Sequence, residues 1–158
     1  MTATIPTINL VSMIHLIFLS LWGGVVSAES VLELYPWRRR DLLRHTVEFH
    51  YWIDLLVELP LVGLVLASGL ILATLAWPLD AEHWFKIGCA AVAISANLVC
   101  VYLVIVRRRL MIAGATAEAL WSKSRQVDLC AVVGMPFAAV AAGMGFWLAY
   151  HRLLELLT

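Results

Sequence analysis

Four long, predominantly apolar stretches, residues 8–28, 53–77, 84–106 and 127–150, limit what this 158-residue chain can fold into more than any other feature. Each holds about the 20 residues that an α-helix needs to cross a hydrocarbon core roughly 30 Å thick. Inside lipid every backbone N–H and C=O must find its partner within the protein, so a spanning segment is helical unless it belongs to a closed barrel. No stretch shows the two-residue alternation of a barrel strand. Composition agrees: 63% of residues are hydrophobic and 14% charged, against roughly half and a quarter in a soluble domain. The expectation is a single all-α integral membrane domain over residues 1–158, a four-transmembrane-helix bundle with helices at about 8–35, 41–77, 82–109 and 125–156.

The charges are clustered. Arg38, Arg39, Arg40 and Arg44 lie between the first two spans, and Arg107, Arg108, Arg109, Lys123 and Arg125 between the last two. The connection at 78–83 has acids and a histidine but no Lys or Arg, and no basic residue precedes the first span. By the positive-inside rule the two basic loops are cytoplasmic and both termini lie outside, on the periplasmic side of a bacterial inner membrane; Arg152 alone runs against the rule. The run Val25 to Glu29 resembles a signal-peptidase site, but with no basic residue ahead of the apolar run the segment reads as a retained span. Formal net charge is zero, so nothing points to nucleic acid; the expected partner is the lipid bilayer, with a homo-oligomer or a larger membrane complex open. Pro60 is expected to kink the second helix. Helix four carries small residues four apart (Ala138 and Ala142, Ala139 and Gly143, Ala141 and Gly145), which permit close helix approach within the bundle or between copies.

Ionisable groups inside a span are costly and are functional candidates by default. On the first helix His15, Trp22, Glu29 and Glu33 fall within roughly 40° of one another, and on the second His50, Asp54 and Glu58 spread over roughly 80°. His45 and Glu48 point elsewhere. Folded as an antiparallel hairpin, these helices bring Glu29 and His50 to similar depth, with Asp54 about one turn deeper and Glu58 nearer the midplane. Asp128 is placed to join from the fourth helix. Facing helices that supply carboxylates and imidazole are how bundles hold iron or manganese, in single or dinuclear sites. Such donors suit those hard to borderline ions, leave zinc or copper open, and argue against Cu(I) for want of a nearby thiolate. The candidate metal ligands are therefore Glu29, Glu33, His50, Asp54 and Glu58, with redox or oxygen chemistry as the expected class.

Competing readings account for the same residues differently. Glu29 and Glu33 can pair with Arg38–Arg40 or Arg44, which would suit a non-catalytic subunit of a larger complex that uses Trp37 and Trp121 as contacts. A proton pathway, or carboxylates that are simply protonated, is another. Haem b is a third: two histidines at matching depth are missing, because His83 and His151 belong at the interface beside Trp84, Trp147 and Tyr150, but five-coordinate haem on His15 stays open. Asn97 reads as an interhelical hydrogen-bond donor, Lys86 as a side chain snorkelling outward, and Cys89, Cys100 and Cys130, with no CxxC spacing, as small buried apolar residues.

Ile14-His15-Leu16-Ile17-Phe18 followed by Trp22-Gly23-Gly24 resembles the first helix of two related four-helix groups, the bacterial membrane protoporphyrinogen oxidases and the copper-resistance D type membrane proteins. Pro60 with Ser68-Gly69-Leu70, Trp84-Phe85-Lys86-Ile87 and Pro136 resemble features of their later helices. The resemblance implies a compact bundle, His15 as a haem ligand and Lys86 as a functional residue. The oxidases' Asn-Glu before the last proline is Gly134-Met135 here, and the series His50, Asp54, Glu58 has no counterpart in their pattern. Likeness at this level carries fold more readily than activity.

Overall fold

The computed structural model describes the backbone of residues 5–157 and the side chains of residues 8–151. Helix α1 runs Ile5–Arg38; a single 3₁₀ turn, Arg40–Leu42, leads into α2, Leu43–Ile53. A π-helical segment, Asp54–Glu58, joins α2 without a break to α3, Leu59–Leu75. Helices α4, Ala81–Ile112, and α5, Ala117–Leu157, complete the chain. Among the described residues there is no strand, and four helices, counting α2 to α3 as one, are long and apolar enough to cross a membrane. The chain is an all-α, multi-pass membrane protein. The expected side chain of Arg152 lies outside the described residues.

The helices run further than the hydropathy pattern indicates. Helix α1 continues through Pro36 to Arg38, and α5 begins at Ala117, so Lys123 and Arg125 are helical and only residues 113–116 form the connection. Polar residues at a membrane surface can extend a helix as well as end it, because water and their own side chains satisfy the terminal turns. Gly114, at φ +77°, supplies the left-handed residue that ends α4. Asp80 starts the same helix by accepting the His83 backbone N–H at 3.0 Å.

Pro60 has the expected disruptive effect, but the disruption takes the form of a π segment ahead of it. A proline ring clashes with the carbonyl four residues back and offers it no N–H. The ladder adapts by one wider turn: the Leu59 N–H bonds to the Asp54 carbonyl, five residues away. Such insertions turn the preceding residues relative to those that follow, and they are frequent at functional sites. Here the wide turn carries Asp54 and Glu58, the two carboxylates of the second span, both buried.

Two apolar clusters hold the bundle. Trp22, Val62 and Val65 pack with Phe18, Leu19 and Ile94 at one level, and Leu43, Val47 and Leu120 with Leu110 and Trp121 at the basic end. Helices α4 and α5 pack closely: a Cβ placed on Gly134 would lie 3.1 Å from the Ala96 Cβ, and one on Gly145 would lie 3.3 Å from Lys86 Nζ. Lys86 therefore lies against α5, half-buried. Helix α1 leans on α3, and the histidine near its start is part of that contact: His15 Nδ1 sits 2.9 Å from Ser68 Oγ, and its Cε1 lies over Gly69.

Candidate metal centre

Between the two apolar clusters lies a polar layer. Glu29, Glu33, His50, Asp54, Glu58 and Arg107 are each no more than 5% exposed. Trp22, Glu29 and Glu33 of the stripe expected on α1 meet the series expected on the second span, as the hairpin geometry requires; His15 does not join them.

Glu33 and Arg107 form its most fully paired part. Arg107 Nη1 and Nη2 donate to the two Glu33 oxygens at 2.9 and 2.7 Å, and Nη1 also reaches Ser124 Oγ at 2.8 Å. Arginine pairing was expected for this glutamate, but from the loop at 38–44; the partner is Arg107, from a triplet that otherwise reads as a topology anchor. Neighbouring Arg108 points outward and pairs with Glu48 at 2.9 and 3.0 Å, above the Tyr51 ring. Successive helical residues point about 100° apart, so adjacent arginines have different surroundings. Nothing in the triplet's spelling says which one turns inward.

His50 is held on one side by this pair. Its Nδ1 lies 2.5 Å from Glu33 Oε1, and Arg107 Nη2 is beside it at 3.1 Å. A carboxylate chelated by a guanidinium is ionised and accepts, so Nδ1 carries the proton and Nε2 is the nitrogen left facing inward. Nε2 lies 3.2 Å from Asp54 Oδ1 but is not aligned for a hydrogen bond. Ligand atoms of Glu29, His50 and Asp54 all fall within 4.8 Å of one another. In this group Glu29 Oε1 and both Asp54 oxygens have no hydrogen-bond partner.

Glu58 is better satisfied: its Oε1 accepts from Trp22 Nε1 at 3.2 Å and from Asn97 Nδ2 at 2.6 Å. Asn97 thus makes the interhelical bond expected of it. Asp128 lines the cavity beside the cluster, as do Cys100 and Cys130. The last two qualify the expectation that no thiol is near, because helix positions 50 and 80 residues beyond His50 are brought to the same space. His15 is not part of the polar layer. Ser68 Oγ gives its proton to the Leu64 carbonyl at 2.6 Å, so His15 Nδ1 donates to Ser68. His83 and His151 sit at the periphery as expected, one on Asp80 at 2.7 Å and the other against the Trp147 ring at 4.3 Å.

A cavity of about 560 Å³ opens on the cluster. Helices α1, α4 and α5 line it, and its walls are mostly apolar, with Glu29, Glu33, His50 and Glu58 at the polar end. Fold and site define the class: a four-helix membrane protein with a buried His/carboxylate cluster facing an apolar cavity. No family model, no curated protein and no solved structure matches the chain.

Proposed function

We propose that the protein is a membrane metalloprotein in which Glu29, His50 and Asp54 bind one divalent cation, iron or manganese by the hardness of the donors. The carrying observation is the set of three ligand-bearing residues, 5%, 3% and 0% exposed, whose donor atoms converge within 4.8 Å while three carboxylate oxygens make no hydrogen bond, Asp54 Oδ1 having only the ion-pair contact to His50. Buried polar atoms without partners cost about 1–3 kcal/mol each, more when charged. Four buried carboxylates here face one arginine and one histidine, and a bound cation supplies the missing charge and a partner for Asp54.

The surroundings of His50 fit a ligand. A metal-bound imidazole usually donates its other N–H to a carboxylate, which fixes the tautomer and makes the ligating nitrogen more basic. Glu33 does this for Nδ1, and Arg107 in turn orients Glu33. The cation replaces the proton on Nε2, so affinity rises with pH. Glu33, occupied by Arg107, is an orienting residue in this reading, and Glu58 is the carboxylate available to a second ion. When bound, iron or manganese supplies redox or oxygen chemistry; the chain's own part is to hold the ion in a site sheltered from water.

Element analysis of detergent-purified protein tests this. About one equivalent per chain is expected in the wild type, with loss in Asp54→Asn and Glu29→Gln and retention in Glu48→Gln, all three keeping the helical circular dichroism signal. Metal retained by both cluster variants overturns the assignment. No metal in a wild type never exposed to chelator does the same, and leaves a structural subunit built around the Glu33–Arg107 pair as the better account.

The reading extends to orientation. Arg38, Arg39, Arg40, Arg44, Arg109, Lys123 and Arg125 gather at the end of the bundle where α1 and α4 finish, while the 78–80 connection has no basic residue. That asymmetry supports a cytoplasmic basic end; a bacterial inner membrane is the setting proposed with it. Thiol labelling of a cysteine placed at Leu79 from the external side checks it.

A further inference from the structure

The cavity that meets the cluster is a cleft between α1 and α5, and its rim faces sideways. Leu34 and Trp37 on α1 and Val132 and Met135 on α5 are 62, 52, 69 and 42% exposed, and all four line it. Among the described residues a weak hydrogen bond, Ser30 Oγ to Met135 Sδ at 3.8 Å, and at the basic end an edge-to-face contact of Trp37 on Trp121 at 4.7 Å cross between these helices. A rim of large apolar side chains along two membrane-spanning helices opens to lipid rather than to water.

Three features describe what fits. The volume, about 560 Å³, is that of a small-molecule site rather than of a packing defect. Ala93, Ala131, Ala138 and Ala142 line it with methyl groups, and Trp22 and Trp37 add aromatic surface. The unpartnered polar atoms among its lining residues are acceptors, Glu29 Oε1 and Asn97 Oδ1, and Glu29 is 5% exposed. An apolar cavity with aromatic walls that ends in hydrogen-bond acceptors suits a ring with a donor on it.

We propose that the cleft admits a lipid-dissolved phenol or hydroquinone from the bilayer, its ring between the alanine walls and its hydroxyl donating to Glu29. Glu29 Oε1, which makes no hydrogen bond, is the acceptor for that hydroxyl, and Oε2 is the oxygen left for the cation. That this ligand is a substrate, and not merely a guest, rests on the metal reading above, since the cluster is then the reacting end. Binding itself does not require the metal. The cleft's other conceivable occupants, an acyl chain or the α1–α5 face of a second copy, have no use for a buried acceptor at its end.

The test is equilibrium binding of a short-chain benzohydroquinone and of its dimethyl ether to the full-length protein in detergent, with metal content measured on the same samples. The hydroquinone is expected to bind at least tenfold more tightly than the ether, which has the same ring and no donor. Ala138→Phe, which fills the slot from α5 away from the cluster, is expected to weaken hydroquinone binding at least tenfold while leaving metal content unchanged. Equal affinity for both compounds overturns the donor-reading site, and unchanged binding to the Ala138→Phe variant places the ligand elsewhere. A dimer in the wild type that this variant dissociates identifies a second copy as the occupant, and also overturns the proposal. Hydroquinone binding without metal separates this site from a failed metal assignment, and metal without hydroquinone binding does the reverse.

Discussion

Replacing Arg107 by methionine is the perturbation with the clearest expected magnitude. The side chain is fully buried, and it makes two hydrogen bonds to Glu33 and one to Ser124. Methionine fills much of the space but leaves the Glu33 carboxylate buried at 4% exposure, with His50 as its remaining partner. Removing one member of a buried ion pair costs about 3–5 kcal/mol, because the survivor's desolvation is no longer offset. At about 1.4 kcal/mol per decade this is a shift of roughly a hundred- to several-thousand-fold in the unfolding equilibrium. The double variant Arg107→Met/Glu33→Gln removes both charges, and the glutamine carbonyl still accepts from His50. It is expected to recover to within about 2 kcal/mol of the wild type, since replacing both partners of a buried pair is often close to neutral. Denaturant titrations in mixed micelles, followed by far-ultraviolet circular dichroism, give the four corners of the cycle. The partly exposed Glu48–Arg108 pair is the control, and its removal should move the midpoint far less. A single variant that loses under about 1 kcal/mol, or a double variant whose loss equals the sum of the two singles, would refute the claim that this pair is a desolvated unit.

Other consequences are open to measurement. Pro60→Ala restores an N–H to the ladder and relieves the clash that the π segment accommodates; the protein should become more heat-stable, while a return to regular α-helix turns Asp54 away from Glu29 and lowers metal content. Unchanged metal content would mean that the wide turn is held by packing rather than by the proline. Gly134→Val places branched carbon against Ala96, where even a Cβ would lie at 3.1 Å; forcing α4 from α5 should cost about 1–3 kcal/mol, read as a lowered melting temperature. The Asp80 carboxyl is held below its ordinary range, first by the His83 backbone N–H and then by the His83 ring. Since its folded-state value is depressed, the capping contribution is complete above the unfolded value of about 4 and fades as pH falls through the lower folded one. Asp80→Ala should be less stable than the wild type near neutrality, and the gap should close in acid; a gap that widened there would reverse the sign.

Much of this molecule is legible in its sequence because lipid permits so few solutions. Apolar runs of about 20 residues can only be helices here, and helical periodicity then fixes that Glu29 and Glu33 share a face and that His50, Asp54 and Glu58 share another. The short basic connection makes the first two spans neighbours, so the meeting of those two faces follows from chain geometry alone. The partners that come from later helices do not follow. Arg107, Asn97, Cys100 and Cys130 reach the polar layer because α4 and α5 have particular rotations about their axes, and those rotations are decided by packing at residues such as Gly134 against Ala96. Hydropathy is nearly blind to that choice, since both faces of such a helix are apolar and only a few small residues distinguish them. The wide turn at Asp54–Glu58 is a similar case: Pro60 announces a disturbance, but whether the chain kinks or takes up an extra residue depends on which outcome lets two carboxylates reach the interior. The sequence by itself thus determined the helices, their hairpin and the inward acids; the tertiary structure decided which of those acids met an arginine and which were left with oxygens unpaired.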